Sequence, residues 1–162
     1  MRTALVPAAL AVAAFAGCGT DMEKAAVTEK PAAPKKATAP AKKSRRTYVK
    51  VRKTDYGRIL TDGRGRALYL FAKEKTSKAA CYGACAKAWP VFRAHGTVKA
   101  SKGVARGKLG TTRRRGGGRQ VTYSGHPLYY YVTDTAPGQV TCQNVFEYGG
   151  KWLVVAPSGR PA

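Results

Sequence analysis

Two stretches of this 162-residue chain are near-copies, and that repetition constrains the fold more than any other feature. Gly57 to Phe71 reads GRILTDGRGRALYLF, and Gly118 to Val132 reads GRQVTYSGHPLYYYV. Gly57-Arg58 matches Gly118-Arg119, Leu60-Thr61 matches Val121-Thr122, and Leu68-Tyr69 matches Leu128-Tyr129. The offset is 61 residues before the turn and 60 after it, so the second copy loses one residue in the turn. Each copy carries a short apolar run, a turn signal and a second apolar run, which reads as a β-hairpin. Two copies in one small domain point to a pseudo-symmetric pairing of hairpin units, not to a long solenoid.

Other segments extend the β pattern. In TYVKVRK, Val49 and Val51 alternate with Lys50 and Arg52, the period of a strand with one buried face. VFEYGGKWLVV, residues 145–155, reads as a C-terminal hairpin around a Gly-Gly turn. CYGACAKAWPVF predicts one short helix near Ala80–Ala88, ended by Trp89-Pro90 because the residue before a proline is pushed toward extended geometry. Trp89 and Phe92 are candidate core anchors. The fold class expected is therefore mainly β: two related antiparallel hairpin repeats, a C-terminal hairpin and one short helix, over residues 47–162.

Within a strand, Tyr129 and Tyr131 share one face, while Leu128, Tyr130 and Val132 share the other. The first copy sets Tyr69 and Phe71 against Leu68 and Leu70. Both faces are apolar or aromatic in both copies, as in a strand covered on two sides. These aromatics read as core in preference to a binding platform. Asp134, in DTAPG, reads as the head of an Asx turn, with a hydroxyl partner for a buried tyrosine as the alternative. Residues 99–118 read as a Gly-rich basic loop. Arg113, Arg114 and Arg115 precede three glycines and read as a solvated turn, since no strand–loop–helix frame of a phosphate-binding loop surrounds them. His126, in the turn of the second copy, reads as solvent-facing.

The N-terminal part follows different rules. Arg2 precedes an apolar run from Ala4 to Phe15, 12 residues long and too short to cross a bilayer as a helix. The run ends in FAGC, which resembles the lipobox of bacterial lipoproteins with Phe15 in place of the usual leucine. Residues 1–17 are therefore expected to be a signal peptide and Cys18 the lipidated N-terminus, fixed to the cell membrane outside the cytoplasm by palmitate-like chains. No other segment has the length and apolarity to span. Residues 18–46 are rich in Ala, Pro, Lys and Arg, with little to bury, and are expected to form a disordered tether.

The formal charge is +22. Residues 19–53 carry 11 basic and 3 acidic side chains, and residues 54–162 carry 18 and 5. A basic tether beside a lipid anchor favours anionic headgroups, at about 1 kcal/mol per basic residue near the surface. Membrane and anionic envelope polymers are the partners expected. Nucleic acid suits the charge but not the export signal, so no physiological nucleic acid is expected.

The two copies and their surroundings resemble the bacterial lipoproteins that carry a secreted repeat of unknown function, marked by Y-x-[FWY]-x-x-D. The second copy supplies Tyr129, Tyr131 and Asp134; the first supplies Tyr69 and Phe71 with Glu74 in the acidic position. CYGACAKAWP and the tryptophan of KWLVVAPSG fit as well, over residues 55–159. The departures are Glu74, Val91 where a second proline is common, and Cys142. The resemblance implies an exported, lipid-anchored protein with no established activity.

Cys81, Cys85 and Cys142 follow the lipid site, an odd number for an oxidising compartment. The short loop between Cys81 and Cys85 suits a local disulfide, and the family pattern supports it, leaving Cys142 free. Two alternatives stay open. Cys142 could bridge one of the pair, or the three thiols could join His126 or His95 in a Cys₃His zinc set. No haem, thioredoxin or nucleophile-elbow signature is present, and the acids sit in turn-like contexts. The function expected is a non-catalytic binding or interaction module without cofactor or metal. The alternative is a redox or metal-handling envelope protein using Cys81, Cys85 and Cys142.

Overall fold

The computed structural model describes residues 46–162. The expected signal peptide, Cys18 and all but the last residue of the expected tether lie outside the described residues.

The chain opens with β1 (Thr47–Thr54), which turns back into β2 (Gly57–Asp62). Thr47 and Val49 are buried while Tyr48, Lys50 and Arg52 are exposed, as the alternation requires. β3 (Tyr69–Phe71) follows a turn held by Asp62, and then comes α1 (Ala84–Ala88), shorter than the helix read from the sequence and ended at Trp89. β4 (Val98–Ala100) and a 3₁₀ turn (Arg106–Lys108) lead to β5 (Leu109–Arg113), β6 (Arg119–Tyr123) and β7 (His126–Tyr129). β8 (Val145–Glu147) and β9 (Gly150–Val154) close the chain. One sheet has the order β2-β1-β4, with β4 parallel to β1; the other runs β5-β6-β7-β3-β9-β8.

Two expectations are corrected here. Residues 99–118 are not one solvated loop, because Leu109–Arg113 is a strand paired with β6 along five residue pairs. The C-terminal hairpin turns at Tyr148-Gly149, not at Gly-Gly: Glu147 pairs with Gly150, and Tyr148 and Gly149 have φ of 54° and 80°. Positive φ at both central residues is the geometry whose twist matches that of the flanking strands.

The repeat is visible bond by bond. The Val155 N–H donates to the Leu68 carbonyl as that of Phe92 donates to Leu128; the Val155 carbonyl accepts from Leu60 as that of Phe92 accepts from Val121. Ala72 donates to Lys151 as Val132 donates to Ala88. The segment around Trp89–Arg93 is thus the first copy's equivalent of β9, although only Val91 and Arg93 form isolated bridges there.

β3 and β7 pair antiparallel at the centre, with Tyr69 opposite Tyr129. Their two faces feed two clusters. Tyr69, Phe71 and Tyr129 pack with Trp89, Trp152 and the cysteines. Leu68, Leu70 and Leu128 pack with Phe92, Val121 and Tyr123. The sheet is covered on both faces, as the double apolar pattern indicates. Trp89, Trp152, Tyr69 and Tyr129 are all 0% exposed, and each such aromatic removes roughly 150–250 Å² from water.

Candidate functional site

The motif residues meet at the centre, but they do not bond within their own copy. Tyr69 donates its hydroxyl to Oδ2 of Asp134 at 2.6 Å, and Tyr129 donates to Oε1 of Glu74 at 2.7 Å. Each tyrosine is therefore satisfied by the acid of the other copy. The acids do the same second task. Glu74 Oε1 accepts from the Ala80 and Cys81 N–H groups, and Asp134 Oδ1 accepts from the Thr141 N–H and hydroxyl. The backbone carbonyls of both acids are also held from across the repeat: Arg66 Nε donates to that of Asp134 at 3.1 Å, and His126 Nδ1 lies 2.9 Å from that of Glu74.

Above these bonds lies an aromatic stack. Trp89 and Trp152 lie parallel, with ring centroids 4.0 Å apart, Phe71 stacks on Trp152, and Tyr131 tilts against Trp89. Tyr69, Phe71 and Tyr129 are core; Tyr131 is half-buried at its edge. Tyr130, on the other face, donates to Asp62 Oδ2 and lies under the Arg66 guanidinium at 4.3 Å.

Three sequence readings change. Asp134 is not the head of an Asx turn but a buried partner for a tyrosine hydroxyl and for Thr141. The Asx geometry belongs to Asp62, whose Oδ1 accepts from the Arg64 and Arg66 N–H groups. Arg114 is not in a solvated turn: it is buried and donates to Gln120 Oε1 and to the Cys81 carbonyl, both at 2.6 Å. His126 is half-buried on Glu74 instead of facing solvent, whereas His95 is exposed. Reasoning from sequence missed Arg66, Arg114 and Gln120. A charged or amide side chain in a Gly-rich or polar run gives no periodic signal that it turns inward.

Cys81 and Cys85 are joined in a disulfide, with Cα atoms 5.3 Å apart, and Cys142 is free and buried. Two of the three thiols of the Cys₃His set are thereby consumed, and Cys142 bridges neither. Among the described residues no group of three or more His, Cys, Asp or Glu could hold a metal ion. Burial raises the Cys142 thiol, disfavouring the thiolate that nucleophilic or metal chemistry needs.

Burial, then the facing carboxylates, also raises the Tyr69 and Tyr129 hydroxyls. Burial raises the Glu74 carboxyl above the usual carboxylate range, with its hydrogen bonds opposing. Its Oε2 is buried without a partner among the described residues, so the ionised form is poorly solvated there. A raised carboxyl contributes stability that is complete below the unfolded value, about 4.3, and lost as pH rises through the folded value. The domain is therefore expected to unfold at lower urea at about pH 7 than at about pH 4 through this group. Glu74→Gln should flatten that part of the profile. Equal pH slopes in the two proteins would show that Glu74 is not its source.

Comparison with known families gives the same division of the chain. The model of a secreted repeat of unknown function matches twice, over residues 50–93 and 110–156. The first match runs from β1 through the Trp89–Arg93 segment and the second from β5 through β9, the two units that the hydrogen bonds define. No curated protein and no solved structure matches the chain. With both copies matched over more than half its length, the chain belongs to the family of secreted repeats of unknown function, an exported β-rich protein whose copies are bonded into one core.

Proposed function

We propose that this protein is a lipid-anchored envelope protein whose β domain is a non-catalytic interaction module for anionic surfaces, headgroups and envelope polymers alike. The observation that carries the reading is how charge is sorted. Among the described residues, Asp62, Glu74 and Asp134 are buried and Glu147 is half-buried; Asp55 alone is exposed. The four inward acids accept from tyrosine, threonine, tryptophan and backbone donors. They leave the lysines and arginines without neutralisation, and of these all but Arg66, Lys99 and Arg114 are exposed. A surface of one sign attracts polyanions over roughly the Debye length, about 8 Å at physiological salt. The anchor rests on FAGC and the export of the family.

The test uses full-length protein extracted from membranes. Its intact mass is expected to lack residues 1–17 and to carry acyl chains on Cys18. The same preparation, titrated with polyphosphate, is expected to bind and to weaken about tenfold or more as salt rises from about 50 to about 300 mM. An unmodified soluble chain would overturn the anchor. Failure to bind polyphosphate at low salt would overturn the anionic-surface reading.

A further inference from the structure

The two copies differ in one place that matters for recognition. In the second copy the strand edge at Val154–Ala156 is covered by residues 160–162. Ala156 donates to the Arg160 carbonyl at 2.8 Å, Ala162 donates to the Val154 carbonyl at 3.0 Å, and Val155 bridges to Pro161. The first copy's equivalent edge is Val91–Arg93. Phe92, like Val155, uses its N–H and carbonyl toward the sheet. The N–H of Arg93 and the carbonyl of Val91, which correspond to the groups that bind residues 160–162, have no backbone partner among the described residues, and Val91 and Arg93 line open clefts on the surface. After His95 the chain does not double back but continues to β4, which pairs with β1.

We propose that the Val91–Arg93 edge receives an extended acidic peptide, which adds as a strand where the second copy holds residues 160–162. An unpaired edge recognises backbone, so its ligand must be extended and must offer free N–H and carbonyl groups. The side chains around it set the charge. One cleft, of about 660 Å³, is lined by Arg46, Arg64, Arg66, Arg93 and His95 together with Tyr48 and Tyr130. Asp62 is its only acid among the described residues, and that carboxylate already accepts from the backbone N–H groups of Arg64 and Arg66 and from the Tyr130 hydroxyl. On the other side the edge borders Arg114 and Arg115, both stacked on Tyr82. Arg66 and Arg114 are held on carbonyls and Gln120, so carboxylate recognition falls to the exposed Arg46, Arg64, Arg93 and Arg115, whose guanidinium forks suit bidentate pairing. A second copy of this chain fits poorly, because edge-to-edge pairing would set like guanidinium groups opposite one another. The residues before Arg46 are themselves rich in lysine and arginine and fit no better.

The inference draws on the same sorting of charge as the anionic-surface reading, and the test separates the two. A fluorescein-labelled hexapeptide of alternating Glu and Val is titrated into the full-length protein, beside an analogue with every internal amide N-methylated. The free-amide peptide is expected to bind about tenfold or more tightly, since the N-methylated analogue keeps the charge and loses the N–H donors that a strand must offer. Amide shifts in the wild-type protein should centre on Val91–Arg93. Arg93→Pro removes the outward N–H and should bind both peptides equally weakly, while Arg93→Gln, which removes only charge, should keep the preference for free amides. Equal binding of the two peptides to wild type, or amide shifts spread over the surface, would overturn strand addition and leave polyphosphate binding untouched. Loss of polyphosphate binding with the peptide preference intact would overturn the anionic-surface reading alone.

Discussion

Replacing Trp89 by alanine is expected to destabilise the domain by about 3–5 kcal/mol, a large part of the roughly 5–15 kcal/mol that holds a domain of this size together. Trp89 is fully buried, stacked at 4.0 Å on Trp152 and edge-on to Tyr69. Its loss leaves a cavity bounded by rings that cannot collapse without disturbing β3 and β9. It also removes the indole N–H that donates to Glu147 Oε2 at 2.9 Å. Trp89→Phe keeps most of the apolar contact and should cost less, mainly the bond to Glu147, at about 1–3 kcal/mol. Urea unfolding of both variants measures the difference. An alanine variant within about 1 kcal/mol of wild type would mean that the paired tryptophans are not the centre of the core.

The second large effect concerns the crossed tyrosine–acid bonds. Tyr69→Ala is expected to cost about 3–5 kcal/mol as a buried aromatic. Tyr69→Phe removes only the hydroxyl, and Asp134 keeps Thr141, so about 1–3 kcal/mol is expected. The sharper measurement is a pair of double-mutant cycles. Tyr69→Phe and Asp134→Asn lie in different copies yet share a hydrogen bond, and should couple by about 1–3 kcal/mol. Tyr129→Phe and Asp134→Asn lie five positions apart in one motif yet share no recorded bond, and should add to within about 0.5 kcal/mol. Coupling within the motif and additivity across it would reverse the assignment of partners.

Much of the fold could be read locally. The alternation in β1, the double-faced apolar runs of β3 and β7 and the Trp-Pro stop after α1 are short-range patterns, and each appears where the residues place it. β5 was not legible, because LGTTR between glycine-rich segments has no buried alternation; all but its last residue are half-buried, and it is held by pairing with β6. The site was half legible. Burial of Tyr69 and Tyr129 followed from the pattern on both strand faces. The identity of their partners did not, because Tyr69 and Asp134 are 65 residues apart and nothing in either motif marks a bond across that distance. Arg66 and Arg114 were hidden for the same reason: inward arginines are recognisable only once the carbonyls they serve have been brought to them.

The crossed bonds have a consequence for what one copy can be by itself. A chain holding a single repeat would carry a tyrosine without its carboxylate, an acid without its tyrosine, and half of a tryptophan pair. Such a chain would complete its interior only by meeting a second copy about a two-fold axis, each lending its acid to the other. The present protein is in effect that dimer written as one polypeptide, with residues 101–108, between β4 and β5, joining its two halves. Severed within that segment, the two fragments should be obligate partners, unfolded apart and reassembling when mixed.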